Sequence, residues 1–509
     1  MFRVGEISVD HFAGGGGAST GMEIGTNRPV DIAINHDEVA IELHKKNHPD
    51  TEHYHSDIWE VDPVEATRGR PIGALWASPD CRHFSIAKGN KPVERKIRGL
   101  AWVVVRWAAL VPVRTFFIEN VAEFSTWGPI IEYEKGKFKP DPERKGETFD
   151  AFIKVLTTGL EASNPAWPEI KEALGDEFPF EKLERGLGYD LDYRTLRACD
   201  YGTPTIRKRL FIVGRNDGEP IRWPKASHGG PGSNLLPYRT AADIIDWSIP
   251  CRSIFNRKKP LAEKTMLRIA KGLEKFILNS DSPFTINSDK VAPFITEHAN
   301  GSSQRNMAIN EPLRTICAQV KGGHFAVVEA YLREYLEGDA CPTKPFASDI
   351  SVDESVNIQA SDTLYTSHMI KMRGTNLGHE TDSPVHTITS GGNHIGEVRA
   401  FLVKYYGNSE TGESINSPIG TVTTRDRFGL VVVKGVKYQI VDIGMRMLDP
   451  AELFRAQGFP ADYHFTHDGA GNKLTKAAMV SKCGNSVCPP LAAAILRANF
   501  DYQSLPMVA

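Results

Sequence analysis

Cys81 lies in Ser78-Pro-Asp-Cys-Arg-His-Phe-Ser85, directly after the apolar run Ala74-Leu-Trp-Ala77. A thiol at the carboxyl end of a strand, beside Arg82 and His83, is eased toward the thiolate that attacks electrophilic carbon. For any single cysteine an inert thiol is the ordinary alternative. Glu119-Asn-Val121 follows a second apolar run, Thr115-Phe-Phe-Ile118. A partly desolvated carboxyl group at a strand end can act as a general acid, although such residues also serve as caps or surface acids. Arg207 and Arg209 stand two apart before Leu210-Phe-Ile-Val213, a spacing that projects both to one side of a strand. His11-Phe-Ala-Gly-Gly-Gly-Gly17 separates a strand pattern from a helical one. Its glycines let backbone N–H groups approach a ligand, and the helix N-terminus beyond favours negative charge. Positions 14, 16 and 19 are Gly, Gly and Ser, so the run departs from G-x-G-x-x-G and is also consistent with plain turn geometry.

These residues need a frame that brings strand ends together. Strand candidates at 7–12, 30–34, 74–77 and 115–118 alternate with helical patterns at 36–47 and 100–110. That alternation predicts an α/β domain with a doubly wound, mostly parallel sheet and a nucleotide-type cofactor site at the carboxyl ends of its strands. Residues 125–186 look like an insertion, with a charged loop near 134–145 and two short helical stretches. Strand character returns over 189–214, and Pro, Gly, Ser and Asn cluster through 217–237, a plausible boundary. The expected division is a catalytic and cofactor-binding domain at 1–215, a smaller β-rich domain at 216–440, and a segment at 441–509 that returns to the first domain.

Within the second region, 252–275 carries eight basic and two acidic residues, and Leu261, Met266, Ile269 and Leu273 have helical spacing. Either a solvated helix face or a phosphate-contacting patch fits this pattern. An internal repeat spans about 292–434, with Pro-x-x-Thr cores at Pro312–Ile316, Pro384–Ile388 and Pro418–Val422. Each repeat reads as a small β unit, either duplicated scaffold or a surface that reads an extended polymer. The chain closes with helical patterns at 450–457 and 490–499 around a glycine turn at Gly484.

Hydrophobic residues at 41% and charged residues at 24% of 509 exclude wholesale disorder, collagen-like and coiled-coil sequence. The formal charge of −3 advertises no bulk affinity for polyanions, although local patches matter more. Seven widely spread cysteines without a C-x-x-C pair read as reduced thiols and argue against structural zinc. The longest apolar stretch, 101–113, is interrupted by Arg106 and is too short for a bilayer, and the N-terminus lacks a signal-peptide pattern. A cytoplasmic protein with no membrane partner is expected.

Taken in order, the motifs resemble those of the DNA (cytosine-5)-methyltransferase family. The glycine run is similar to that family's Phe-x-Gly-x-Gly loop, Cys81 to its Pro-Cys-Gln nucleophile, and Glu119-Asn120-Val121 to its Glu-Asn-Val motif. Arg207-Lys-Arg209 resembles Gln-x-Arg-x-Arg, Arg446–Pro460 the helix motif that follows, and Gly484-Asn485-Ser486 the closing cofactor motif. The resemblance covers about 1–125, 187–214 and 441–499, and 215–440 stands where the family carries its target-recognition domain. It implies a Rossmann-like methyltransferase fold, S-adenosyl-L-methionine as methyl donor (leaving S-adenosyl-L-homocysteine), and double-stranded DNA as substrate. A flipped cytosine would be attacked at C6 by Cys81 and protonated or hydrogen-bonded at N3 by Glu119. Arg209, with Arg207, would hold O2. The cofactor would lie against Phe12, Gly14, Gly16, Asn35, Asp57, Ile58, Leu100, Asn485 and Ser486. Several positions depart from the family pattern. Asp80 replaces the proline before the cysteine, Arg82 the glutamine after it, Asn35 the ribose-binding acid, and Thr205 the glutamine of Gln-x-Arg-x-Arg. An RNA-directed relative, a DNA-binding protein with a decayed site and a dehydrogenase built on the glycine loop are the competing readings. The recognised bases stay open, as does service beside a cognate restriction endonuclease, in a phage or as an orphan enzyme.

Overall fold

The computed structural model describes residues 1–80, 99–134, 137–255, 257–280, 282–286, 291–298, 305–316, 325–334, 367–371, 379–380, 395–399, 430–433 and 436–500. Cys81 and the second and third Pro-x-x-Thr cores lie outside the described residues.

The N-terminal half builds one seven-stranded sheet. Its strands are β1 (Ile7–His11), β2 (Ile32–Asn35), β3 (Glu52–His55), β4 (Ile72–Ala77) and β5 (Thr115–Asn120). A small hairpin, β6 (Ile130–Glu134) and β7 (Lys137–Pro140), stands apart, and β8 (Asp190–Arg197) and β9 (Lys208–Arg215) complete the main sheet in the order β3-β2-β1-β4-β5-β9-β8. The first five strands run parallel; β9 pairs antiparallel with both β5 and β8. Strands β1, β4 and β5 are buried along their whole length, as expected for central parallel strands covered on both faces. The strand order reverses between β1 and β4, so their carboxyl ends open the crevice in which doubly wound sheets bind ligands. The expected mostly parallel, doubly wound α/β fold is what the chain adopts.

Helix α1 (Gly17–Thr26) follows the glycine run, and α2 (Glu38–Asn47) and α3 (Pro63–Thr67) follow β2 and β3. Helix α4 (Trp102–Leu110) leads into β5 and buries Trp102 and Trp107 in the largest core, with Trp127 and Phe152. Expectation and structure part company at two places. Part of the charged segment near 134–145 belongs to the β6–β7 hairpin, with a turn after Pro140, and three helices rather than two follow it, α5 (Glu147–Leu156), α6 (Trp167–Leu174) and α7 (Glu181–Arg185). Gly484 is not a turn; it lies in the last helical turn of the helix Lys476–Asn485. The single glycine and polar neighbours hid a helix whose stability comes from packing.

A second, mostly antiparallel sheet takes strands at Arg252–Ser253, Val436–Met447, Phe325–Glu334, Val291–Glu297 and Asn306–Met307, in that spatial order. Helix α8 (Glu263–Leu273) buries Ile269 and Leu273 against it, and Gly272 makes room for the Phe294 ring. The strands flanking the first repeat core, Val291–Glu297 and Phe325–Glu334, pair antiparallel. Ser367–Lys371 and Ile395–Arg399 flank the second and pair likewise.

The chain then returns to the first sheet through α9 (Pro450–Gln457), α10 (Lys476–Asn485) and α11 (Pro489–Phe500). Gly17, Gly21 and Gly25, four apart on α1, form a bare stripe against α11 and the segment that leads into it. A Cβ on Gly21 would lie 2.5 Å from Ala492 Cβ, and one on Gly25 3.0 Å from Leu496 Cβ. Each glycine costs a helix interior about 1 kcal/mol relative to alanine, and here close backbone approach offsets that loss. Among the described residues no helix is long and apolar enough to cross a membrane.

Candidate active site

The antiparallel register of β9 on β5 explains why Glu119 meets both arginines. Asn120 pairs with Leu210 and Glu119 with Phe211, so the beginning of β9 stands beside the carboxyl end of β5. Glu119 is only 7% exposed, and its Oε1 lies 3.1 Å from Arg209 Nε and 3.8 Å from Arg207 Nη2. That oxygen is buried and accepts no aligned hydrogen bond, so the contact is an ion pair with a lone pair still open. Arg207 Nη1 donates to the Gly484 carbonyl at 3.1 Å, tying this corner to α10. Asn120 Nδ2 donates to the Pro79 carbonyl at 3.2 Å, which fixes the loop after β4 two residues before Cys81 in the chain. The sequence-predicted trio Glu119, Arg207 and Arg209 is therefore gathered at one point.

Of the predicted cofactor residues, Phe12, Gly14, Asn35, Asp57 and Ile58 stand at or just past the carboxyl ends of β1, β2 and β3. Phe12, directly after β1, has a left-handed φ of 64°, a conformation that L residues other than Asn and Asp seldom hold. Ala13 N–H donates to the Ile34 carbonyl at 3.1 Å, joining the ends of β1 and β2. Above Gly14 the space is open, since a Cβ there would meet nothing nearer than the Phe12 carbonyl at 3.7 Å. Its three neighbours also face the C-terminal segment. A Cβ on Gly15 would sit 2.5 Å from Ser486 Oγ, on Gly16 2.3 Å from the Tyr463 hydroxyl, and on Gly17 2.1 Å from the Val487 carbonyl. They let the C-terminal segment close onto the loop, with Tyr463 donating to the Gly15 carbonyl at 2.7 Å.

Asn35 ends β2, and its Oδ1 accepts the Asp37 N–H at 2.8 Å. Asp57, just past β3, is exposed, with Oδ1 accepting the Trp59 N–H at 3.1 Å. Ile58 is buried in the main core and Leu100 packs half-buried against it. Asn485 is exposed at the end of α10, whereas Ser486 is buried and donates to the Lys482 carbonyl at 2.8 Å.

Several supporting residues escaped the sequence reading. Asp37 caps α2 through the Ala40 N–H and pairs with Lys482 of α10. Burial works against that carboxylate, but the Lys482 ammonium prevails and holds it below its ordinary range. An Asn-His-Asp-Glu stretch before a helical pattern is a legible capping signal; the partner on α10 is not. Gln457 donates to the Cys483 and Ser486 carbonyls at 3.0 and 3.2 Å and accepts from Cys488 Sγ. Beneath the glycine loop, Asp10 accepts from Ser19 Oγ at 2.6 Å, and Ser19 lies 2.9 Å from His44 Nε2. Burial raises the Asp10 carboxyl to about 7 and lowers the adjacent His11 to about 3. The described cysteines, Cys199, Cys251, Cys483 and Cys488, are all free and buried. Burial pushes their thiols up, Cys199 to about 11 and Cys488 to about 12, so none is poised to attack. No cluster of metal-ligating side chains occurs among the described residues.

The chain is 26% identical over 251 residues to the type II methyltransferase M.AquIA of Picosynechococcus, an overlap of 47% of this chain and 86% of that one. It is 25% identical over 243 residues to M1.HphI of Haemophilus parahaemolyticus, covering 47% of this chain and 51% of the relative. Among solved structures, the S. pombe Dnmt2 methyltransferase aligns over 98% of this chain and 100% of its own, at 12% identity and a TM-score of 0.42. The model of the C-5 cytosine-specific DNA methylases matches residues 8–127 and 180–500, skipping most of the inserted hairpin and helices, and the chain belongs to that family of DNA (cytosine-5)-methyltransferases.

Proposed function

We propose that this enzyme moves a methyl group from S-adenosylmethionine to carbon 5 of a cytosine flipped out of a specific double-stranded DNA sequence, through a transient Cys81 adduct. The observation that carries the reading is the Glu119–Arg207–Arg209 cluster at the carboxyl edge of the sheet, beside the loop that runs on to Cys81. Carbon 5 of cytosine is a poor nucleophile. Addition of the Cys81 thiolate to C6 makes C5 enamine-like, and a proton or hydrogen bond from Glu119 at N3 drains the charge that develops. Arg209 holds the base's O2, and both arginines keep Glu119 in place. Once C5 has been methylated, loss of its proton expels the Cys81 thiolate and restores the aromatic ring. The stacked duplex hides C6, so the base must leave the helix at a cost of a few kcal/mol.

The crevice suits the cofactor. Gly14 leaves open space at the end of β1, Asn35 offers amide donors at the end of β2, and Asp57 offers a carboxylate past β3. When bound, the cofactor supplies an electrophilic methyl group on a sulfonium. Phe12, Gly14, Gly16, Asn35, Asp57, Ile58, Leu100, Asn485 and Ser486 are the residues proposed to bind and orient it. The division into a catalytic part at 1–215 and 441–509 and a target-recognition part at 216–440 that reads DNA completes the proposal.

Bisulfite sequencing of DNA from cells expressing the protein tests activity and target together. Methylated cytosines within one short sequence are expected. Cys81→Ser should abolish methylation and the stable adduct on 5-fluorocytosine DNA while cofactor binding persists; full turnover by this variant would overturn the nucleophile assignment.

A further inference from the structure

The segment Pro204–Ile206 is held by the first repeat core of the second domain. Ile206 N–H donates to the Leu313 carbonyl at 2.6 Å, and Leu313 N–H donates to the Pro204 carbonyl at 3.0 Å. Thr205 and Leu313 form a parallel β-bridge, and Thr205 Oγ1 donates to the Arg314 carbonyl at 3.2 Å. Thr205 and Leu313 are both fully buried. Two residues further on, Arg207 reaches Glu119 on one side and the Gly484 carbonyl on the other. Two residues of chain span at most about 7 Å, and β9 begins directly after Arg207, so whatever fixes Thr205 limits where Arg207 can start. We propose that Thr205 is a positioning residue, and that its seam with Pro312–Arg314 sets the catalytic corner, making methyl transfer depend on how the second domain is seated.

The seam accounts for two things left over from the sequence. The Pro312–Ile316 core buries Leu313 and Ile316 and uses its backbone on the first domain, so this copy of the repeat serves as a fastener rather than a reading surface. Position 205, where the family pattern has glutamine, holds a threonine whose short side chain bonds to a backbone carbonyl of that fastener. The inference rests on the proposed role of Glu119 and Arg207.

Thr205→Val preserves shape and removes the hydroxyl; Thr205→Ser keeps the hydroxyl and removes a methyl. With the full-length enzyme, Thr205→Val should lower kcat and the rate of adduct formation on 5-fluorocytosine DNA about tenfold, the effect of one buried hydrogen bond transmitted to the reacting corner. KM for DNA and for S-adenosylmethionine should stay within about twofold, and Thr205→Ser should restore most of kcat. Wild-type kcat in Thr205→Val, a loss confined to KM, or equal losses in both variants would overturn the assignment. If the wild type formed no adduct at all, the proposed mechanism would fall instead, which keeps the two failures apart.

Discussion

The glycine run predicts two different outcomes for two alanine substitutions only three residues apart. In Gly17→Ala the new methyl would lie 2.1 Å from the Val487 carbonyl oxygen and 3.0 Å from Ser486 Cβ, both on the segment that joins α10 to α11. Neither neighbour is the free end of a flexible side chain, so α1 or the C-terminal pair must retreat. That retreat would pull on the buried contacts of α1 with Ala492, Ala493 and Leu496, and overpacking of this kind costs about 1–3 kcal/mol. Gly14→Ala meets nothing nearer than the Phe12 carbonyl at 3.7 Å, and its φ is not positive, so the fold should accept it within about 0.5 kcal/mol. Urea denaturation separates the two: the midpoint falls for Gly17→Ala and holds for Gly14→Ala, with unchanged slopes. Calorimetric titration with S-adenosylmethionine adds the second half. Gly14→Ala should weaken binding despite its native stability, because its methyl would occupy open space on the crevice side. A Gly17→Ala protein as stable as wild type would refute the argument that these glycines exist for the approach of α11.

Glu119→Gln keeps the size of a side chain lodged between two arginines but removes its acid function; methyl transfer should fall by about 10²–10⁴ while DNA retention in a gel-shift assay is maintained. Unchanged single-turnover rates would remove Glu119 from the mechanism. His11 is fully buried against Trp107, with neither ring nitrogen hydrogen-bonded, and its folded value of about 3 lies below the ordinary 6.5. Between those values the unfolded chain binds a proton that the folded protein refuses, so this residue removes stability as pH falls from 6.5 toward 3. Asp10, raised to about 7, acts with the opposite sign, its contribution to stability falling as pH rises from about 4 to 7. His11→Leu should therefore move the acid-unfolding midpoint, followed by circular dichroism, to lower pH; a midpoint unmoved or raised would show that His11 is satisfied in solution.

The fold was legible wherever one residue type has one cheap use. Buried parallel strands read as unbroken apolar runs, and β1, β4 and β5 lie where those runs stand. The N-terminal cap of α9 at Asp449, with Pro450 behind it and Glu452 closing a capping box, places that helix from sequence alone. Polar and mixed segments were not legible. Strand β3 is Glu-His-Tyr-His at a half-exposed sheet edge and has no apolar signature. The α1–α11 contact does have a sequence signal, glycines at 17, 21 and 25, but it overlaps the run beginning at Gly14, whose composition fits a cofactor loop equally well.

The candidate site shows the same division more sharply. Glu119, Arg207 and Arg209 were found by type and spacing, but nothing in one dimension says that β9 runs antiparallel to β5, and it is that reversal which lets two arginines start where one glutamate ends. Likewise Lys482, Gln457 and Thr205 carry no chemistry of their own. Lys482 pairs with the cap of α2, Gln457 binds two carbonyls around Ser486, and Thr205 binds a carbonyl in the second sheet's domain. All three bond groups that lie far away in sequence, and two of the three bond backbone atoms, which have no residue identity to read. A reacting group declares itself by its type, whereas a group that holds it in place is defined by a contact, and contacts exist only once the chain has folded.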